Sequence, residues 1–173
     1  MRIVQCTPER HADAILAIFN DAILNSTALY DYQPRTREMM AAWFETKRKG
    51  NFPILGLAND SGELMGFASY GTFRAFPAYK YTVEHSVYVD ARFRGQGVGK
   101  RLLREIIAAA QQQEYHVLVG AIDAANAVSI RLHESFGFTH CGTIRQAGFK
   151  FNRWLDLVFY QLILPTPSQP RDG

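Results

Sequence analysis

The chain has 173 residues, 47% hydrophobic and 20% charged, which is typical of one soluble domain with a continuous core. Its formal charge of +3 is too mild for a nucleic-acid-binding protein, which usually carries a strongly basic face. No apolar run approaches the roughly 20 residues that cross a bilayer, and the N-terminus lacks the apolar core of a signal peptide. We therefore expect a cytoplasmic protein whose two cysteines, Cys6 and Cys141, form neither a disulfide nor a metal site.

The apolar spacing predicts a mixed α/β (α+β) sheet flanked by helices. In chain order we expect a strand at 2–5, helices that begin after Thr7 and Thr36, strands at 53–58, 64–73 and 81–89, a helix at about 97–113, a strand at 117–122, a helix at 126–138, and two strands around a turn near 148–152. Residues 1–164 are predicted to form one domain, and the polar, proline-rich residues 165–173 a disordered tail.

A glycine-rich, basic turn joins the strand at 81–89 to the next helix. Its residues are Arg94, Gly95, Gln96, Gly97, Val98, Gly99 and Lys100. Glycines leave backbone N–H groups accessible at the positive end of a helix dipole, an arrangement that binds phosphate. The spacing fits neither the P-loop, since Arg101 stands where that motif needs a hydroxyl, nor the dinucleotide fingerprint. Taken alone the turn is weak evidence, because such a loop can also simply reverse the chain.

Read as RxxGxG, the turn resembles the acyl-CoA pyrophosphate loop of the GCN5-related N-acetyltransferases (GNAT). EHSVYV, SIRLHE and GFKFNRWLD together resemble the phosphinothricin and methionine sulfoximine acetyltransferases, and the likeness extends to about residue 163. The resemblance implies a mostly antiparallel sheet splayed between its fourth and fifth strands, with about four helices. It also implies acetyl-CoA as co-substrate, no metal, and a homodimer, to which the aromatic residues of the C-terminal half would contribute.

The implied reaction moves an acetyl group to the α-amine of a small amino acid or analogue such as phosphinothricin, methionine sulfoximine or methionine sulfone. Amines are protonated near neutral pH, so the transfer needs a base. Glu84 lies among apolar residues of a predicted strand, where burial would raise its pKa, and the resemblance gives it this role. An exposed strand carboxylate is the alternative.

His133 stands where the broad family commonly has a tyrosine as general acid. A histidine there could protonate the leaving thiolate or relay a proton to Glu84. It could also be a structural residue of the helix face, with water as the acid.

The resemblance also implies the binding residues. Acetyl-CoA would contact Val87, Tyr88, Val89, Arg94, Gly95, Gln96, Gly97, Val98, Gly99, Lys100, Asn126 and Ser129, with Val87 and Val89 acting through their backbone N–H groups. The amine substrate would meet Thr27, Tyr30, Phe73, Arg74, Tyr79, Tyr81, Lys150, Phe151 and Trp154. Arg74 can hold a carboxylate in bidentate fashion. GFKFNRW fits a pocket wall and a dimer contact equally well.

Two other functions remain open at this point. The same fold could acetylate a polyamine, an aminoglycoside or a protein N-terminus, although cationic substrates favour an acidic pocket and residues 73–81 (FRAFPAYKY) are basic. A non-catalytic acyl-CoA sensor is the third candidate, and the presence of Glu84 argues against it.

Overall fold

The computed structural model describes residues 1–172, in which seven strands form one sheet with two helices on each face. In chain order the elements are β1 (Arg2–Gln5), α1 (Pro8–Asn25), α2 (Arg37–Lys49), β2 (Ile54–Ala58), β3 (Leu64–Thr72), β4 (Thr82–Val89), α3 (Val98–Gln112), β5 (Val117–Asp123), α4 (Ala127–Glu134), β6 (Thr139–Lys150) and β7 (Arg153–Ile163). The strand order is β1-β2-β3-β4-β5-β7-β6, and within residues 1–172 only β4 and β5 are parallel. The predicted element order and fold class are confirmed.

Local sequence signals explain most helix ends. Thr36 caps α2 by accepting a hydrogen bond from the Met39 N–H at 3.3 Å. Thr7 occupies the expected cap position of α1, but its side chain caps nothing; its own N–H donates to His11 Nδ1 at 3.0 Å. The helix predicted over 126–138 ends at Glu134, four residues early, because the chain turns through Gly137 at a φ of 85°.

The sheet separates two cores. One lies beneath α3 and α4 and contains Leu102, Leu103 and Ile106, each 0% exposed. The other lies beneath α1 and α2 around Phe19 and Phe67. Full burial of one such side chain contributes about 1.5–3 kcal/mol, so the two cores hold the helices against opposite faces of the sheet.

The parallel pairing between β4 and β5 is short. It spans three residue pairs and ends at Glu84 and Val119, while β5 stays paired with β7 along its other edge. Beyond this point the two strands diverge, as the resemblance implied. We call the gap between residues 85–89 of β4 and 120–123 of β5 the fork.

Backbone groups of β4 line the fork. The Tyr81 carbonyl accepts a hydrogen bond from the β5 side, whereas the Asp90 N–H donates to Met65 on the β3 side. Because these groups alternate along a strand, odd-numbered residues of β4 face β5. The N–H groups of Val87 and Val89 therefore point into the fork, where β5 no longer pairs with them.

Residues 165–172 contain no helix or strand. Thr166 donates a hydrogen bond to the Tyr115 carbonyl, and the Arg171 N–H donates to the Tyr81 hydroxyl at 3.1 Å. Disorder of this tail stays a prediction. Among residues 1–172, no helix combines the length and the apolar character needed to cross a bilayer.

Candidate active site

The last residues of the glycine turn at 94–100 are also the first residues of α3, a helix of 15 residues that begins at Val98. Gly95 and Gly97 adopt φ angles of 77° and 78°, and no atom of residues 1–172 lies within 4 Å of where a Cβ would stand on either residue. The left-handed backbone explains the glycines, and the open space leaves room for a ligand against the turn. Accessible N–H groups at the helix start fit a phosphate group.

The cations around the turn are not equally free. Arg94 pairs with Asp21 at 3.1 Å, and Arg101 pairs with Glu105 at 3.5 Å. Within the described residues 1–172, Lys100 forms no ion pair and is exposed. An exposed pair such as Arg94–Asp21 contributes little free energy, so Arg94 can exchange Asp21 for a phosphate at small cost.

Two predicted ligand residues have side chains packed into the cores, Val98 completely and Tyr88 in part. Tyr88 packs with Phe67 beneath α1, and Val98 is 1% exposed in the other core. Val98 can therefore meet a ligand only through its backbone. Asn126 accepts a hydrogen bond from the Ser129 N–H at 3.1 Å and so caps α4, which leaves its amide N–H groups for other partners.

Glu84 lies at the mouth of the fork, directly opposite Gly71 of β3. Its carboxylate is half-buried on the sheet face that α1 and α2 cover. Burial raises the pKa of Glu84 above its usual value, and the positive charge of Arg74 opposes that rise. A carboxylate with a raised pKa is a better proton acceptor near neutral pH than an exposed one.

Arg74 is exposed on the segment that leads into β4. Its guanidinium lies 4.7 Å from the Phe73 ring, and the Phe73 and Tyr79 rings meet edge to face at 5.7 Å. No carboxylate within residues 1–172 forms an ion pair with Arg74, which leaves it free to hold an acidic ligand near Glu84. Tyr81 is engaged elsewhere, because its hydroxyl contacts the backbone of Arg171.

Lys150 holds a loop in place. Its side chain is buried, and Nζ donates to the carbonyls of Ser26 and Leu29 at 2.9 Å and 2.6 Å. The predicted contact with substrate therefore has to compete with two hydrogen bonds to the loop that joins α1 and α2. This loop carries Thr27 and Tyr30, and we call residues 26–36 the α1–α2 loop.

Tyr30 packs against Gly148, where a Cβ would stand 2.7 Å from the ring. The Tyr30 hydroxyl is buried and has no hydrogen-bond partner within residues 1–172. Burial first, and then the charges of Asp123 and Asp156, raise the pKa of Tyr30 to about 12. The tyrosine therefore stays neutral and can donate a hydrogen bond.

Phe151 and Trp154 are 52% and 60% exposed at the β6–β7 turn, where Phe151 and Asn152 have positive φ angles. Trp154 packs edge to face on Phe149 at 5.1 Å. The two aromatic residues project outward from the hairpin, and the choice between pocket wall and dimer contact stays open.

His133 is buried, and both of its ring nitrogens are bonded inside the protein. Nδ1 lies 2.7 Å from the Ser129 carbonyl oxygen, and Nε2 lies 2.9 Å from Nε2 of His85. His85 was not among the residues singled out from the sequence. Its position next to Glu84, on the opposite face of β4, was the signal that could have found it.

Comparison with known proteins places this geometry in a family. Residues 19–138 match the family described as Acetyltransferase (GNAT) family. The L-methionine sulfoximine/L-methionine sulfone acetyltransferase of Pseudomonas aeruginosa is 48% identical over 157 residues, 90% of this chain and 91% of that protein. The L-amino acid N-acyltransferase MnaT of Escherichia coli is 39% identical and covers 93% of this chain and 94% of its own length.

A solved structure supports the same family assignment. The phosphinothricin acetyltransferase of Sinorhizobium meliloti, a GNAT protein in complex with acetyl-CoA, superposes with a TM-score of 0.94 at 30% identity and covers 99% of this chain and 94% of its own. The resemblance inferred from the motifs is thereby confirmed.

Proposed function

The chain belongs to the acetyltransferase (GNAT) family, and from that premise we propose that it acetylates the α-amine of a small amino acid or analogue of the methionine sulfone, methionine sulfoximine or phosphinothricin type. One observation carries the proposal. Glu84, whose pKa is raised by burial, lies at the mouth of the fork with the positive charge of Arg74 nearby. A base and a carboxylate-binding cation close together suit a substrate that carries an amine beside a carboxylate.

Acetyl-CoA is the acyl donor in this proposal. Its pyrophosphate would bind the N–H groups of residues 95–99 together with Arg94 and Lys100, and its pantetheine arm would lie along β4 toward Asn126 and Ser129. The N–H groups of Val87 and Val89, which face the fork, are oriented to polarise a thioester carbonyl. The open space beside Gly95 and Gly97 supports this placement.

The reaction begins when Glu84 accepts a proton from the substrate ammonium group, directly or through a water. The neutral amine then attacks the thioester carbon, a C–N bond forms, and the C–S bond breaks with its electron pair left on sulfur. The amine nitrogen loses its second proton, and the thiolate takes up one proton. The products are the amide, free thiol and one proton released to solvent.

The acid that protonates the thiolate is water or the proton leaving the amine. His133 was the other candidate. In the arrangement described above it has no free N–H, so it would have to give up its hydrogen bond to Ser129 before it could donate. The small energetic demand of protonating a thiolate makes this unnecessary, since a thiol pKa near 8.5 lies close to the working pH.

Substrate choice would follow from the residues around Glu84. Arg74 would bind the α-carboxylate, Phe73 and Tyr79 would cover it, and Tyr30 and Thr27 of the α1–α2 loop would close the opposite side. A polyamine or aminoglycoside would place its positive charges beside Arg74, which is unfavourable. This charge argument favours an amino acid over the cationic amines.

The family resemblance and the exposed aromatic residues of the β6–β7 hairpin also support a homodimer. Exposed Phe151 and Trp154 would be buried against a second copy. Sedimentation should give twice the monomer mass at micromolar concentration, and a monomer at that concentration contradicts this part of the proposal.

A panel of amines with acetyl-CoA, read by thiol release, tests the proposal. Methionine sulfone, methionine sulfoximine and phosphinothricin should release thiol, and spermidine and an aminoglycoside should not. A reaction mixture without an amine serves as the control for hydrolysis of acetyl-CoA. Acetyl-CoA binding without thiol release from any amine would identify a sensor, and a preference for spermidine would contradict the amino-acid assignment.

A further inference from the structure

His85 is the first residue of β4 beyond the last residue pair shared with β5. Its side chain lies on the face opposite Glu84, under α3 and α4, and is 5% exposed. His85 therefore lies where the fork opens, and its polar ring is buried there. Buried polar groups usually have a defined hydrogen-bonding role.

The two histidine rings form a compact cluster at this point. His85 Nε2 and His133 Nε2 are 2.9 Å apart, and the Phe138 ring lies 5.3 Å and 5.0 Å from the two imidazole centres. His133 is anchored to its own helix, α4, through the Ser129 carbonyl at 2.7 Å. The pair thus connects the opening of the fork in β4 to the helix that follows β5.

The hydrogen-bond partners determine where the protons lie. A carbonyl oxygen only accepts, so His133 carries its proton on Nδ1 and presents a bare Nε2. His85 must then donate from Nε2, and its own Nδ1 is bare, buried and without a hydrogen-bond partner in residues 1–172. Burial first, and then the neighbouring His133 ring, lower the pKa of His85 to about 3; the Val119 carbonyl near the ring opposes this shift weakly, without reaching hydrogen-bond geometry. Burial also lowers the pKa of His133. Both rings are neutral near neutral pH.

Gly120 of β5 provides the space for the pair. A Cβ at this position would stand 3.1 Å from His85 Cε1 and 3.4 Å from His133 Nε2. Contacts this short force the neighbouring rings to move. Gly120 is also the residue of β5 that follows Val119, so the rings rest on the strand just where it leaves β4.

We propose that His85 is a positioning residue: by donating one hydrogen bond to His133 it fixes the spacing between β4 and the β5–α4 unit, and so holds the backbone N–H groups that receive the acyl-CoA. This inference rests on the proposed function. Val87 and Val89 follow His85 on the same strand, with their N–H groups facing the same gap. A hydrogen bond weakens steeply outside its normal distance and angle, so a small change in the width of the fork alters the binding of acetyl-CoA.

The test compares two substitutions at one position. In His85→Phe the ring remains but the donor is lost, which leaves His133 Nε2 buried without a partner. We expect the dissociation constant for acetyl-CoA, measured by calorimetry, to rise about tenfold, because the unpartnered ring no longer fixes the width of the fork and the N–H groups of Val87 and Val89 move out of hydrogen-bonding position. His85→Gln retains an N–H near the position of Nε2, so affinity should stay within about threefold of the wild type.

A matched control removes a buried hydrogen bond elsewhere in the sheet. Ser69 of β3 donates to the Pro53 carbonyl at 2.7 Å and is 2% exposed, on the face away from the histidines. Ser69→Ala should lower stability and leave acetyl-CoA affinity unchanged. If His85→Phe does not fold, Gly120→Ala takes its place, because the added methyl group displaces both rings and should weaken binding in the same way.

Nitrogen NMR of the wild type supplies a readout that a general packing role would not produce. The His133 proton should be on Nδ1 and the His85 proton on Nε2, with neither ring titrating between about pH 6 and pH 8. A His133 proton on Nε2, or unchanged acetyl-CoA affinity in a folded His85→Phe, overturns the inference. A wild type that binds acetyl-CoA but acetylates no amine contradicts the proposed function alone, since neither readout here requires turnover.

Discussion

Glu84 and His85 are neighbours in the chain and lie in opposite environments. Glu84 faces the α1–α2 side, is half-buried, and has a positive charge nearby. His85 faces the α3–α4 side, is 5% exposed, and meets another neutral ring. One face of β4 thus presents a group that can take up a proton, and the other face holds a group whose proton stays in place.

The alternation of a strand produces this division of labour. Burial disfavours the charged form of both side chains, which raises the pKa of the carboxylic acid and lowers that of the imidazole. For Glu84 the shift moves the pKa toward neutral pH and makes it a better base. For His85 it moves the pKa away from neutral pH and makes the ring a fixed donor. The two faces can therefore be separated by experiment.

The largest effect is expected from Glu84→Gln, which removes the proposed proton acceptor and preserves the shape of the side chain. Turnover at neutral pH should fall by about 10²- to 10⁴-fold, with a smaller change in acetyl-CoA affinity. The turnover number is measured by steady-state kinetics with methionine sulfone. Glu114→Gln, an exposed carboxylate, is the control, and equal rates in the wild type and Glu84→Gln would remove Glu84 from the chemistry.

Gly97→Val extends the comparison to the acyl-CoA side of the site. Gly97 has a φ of 78° and would point a side chain into the open space next to the turn. The Michaelis constant for acetyl-CoA should rise at least about tenfold, since both the backbone and the phosphate contacts are disturbed. Gly62→Val is the matched control, with a φ of 87° and open space in the β2–β3 turn. A similar rise in both variants would indicate general strain instead of a phosphate site.

Arg74→Ala tests whether the Glu84 face recognises an amino acid. For substrates with an α-carboxylate the Michaelis constant should rise about tenfold, because a charge-assisted hydrogen bond is lost. The decarboxylated analogue should be almost unaffected. Lys80→Ala removes a cation from the same segment and serves as the control. Equal losses for both substrates would leave the carboxylate clamp without support.

Stability on the His85 face should change with pH, although turnover on that face should not. The pKa values of His85 and His133 are lowered in the folded state, so below about pH 6.5 the unfolded chain binds more protons and the free energy of unfolding falls. The raised pKa of Glu84 acts in the opposite direction. In His85→Phe the loss of stability between about pH 7 and pH 5 should be smaller by about 2 kcal/mol, which urea unfolding at the two pH values measures. If the free energy of unfolding falls by the same amount in the variant and the wild type, His85 takes up protons equally in the folded and unfolded chains, which contradicts the lowered pKa.

The sequence predicted the element order because its signals are local. The Thr36 cap, the turn glycines and the alternating apolar residues each act within a few positions. The same holds for the glycine turn and for Glu84. These features require no knowledge of which distant segments meet.

Distant contacts account for what could not be predicted. The Lys150 amine bonds to Ser26, 124 residues earlier in the chain, and so holds the α1–α2 loop. The partners of His133 include His85, 48 residues away on another element. A lysine or histidine in a motif has the same appearance whether it is free for a ligand or engaged by the fold, and only the packed structure distinguishes the two.

The most direct test of the account is the ratio of wild-type to variant turnover as a function of pH, measured side by side for Glu84→Gln and His133→Gln between about pH 6 and pH 10. At high pH the amine substrate is already neutral in solution and needs less help from a base. We predict that the Glu84→Gln ratio is large near neutral pH and shrinks toward pH 10, while the His133→Gln ratio hardly varies with pH. A flat ratio for Glu84→Gln, together with a ratio for His133→Gln that varies with pH, would assign the proton transfer to the histidine and contradict it.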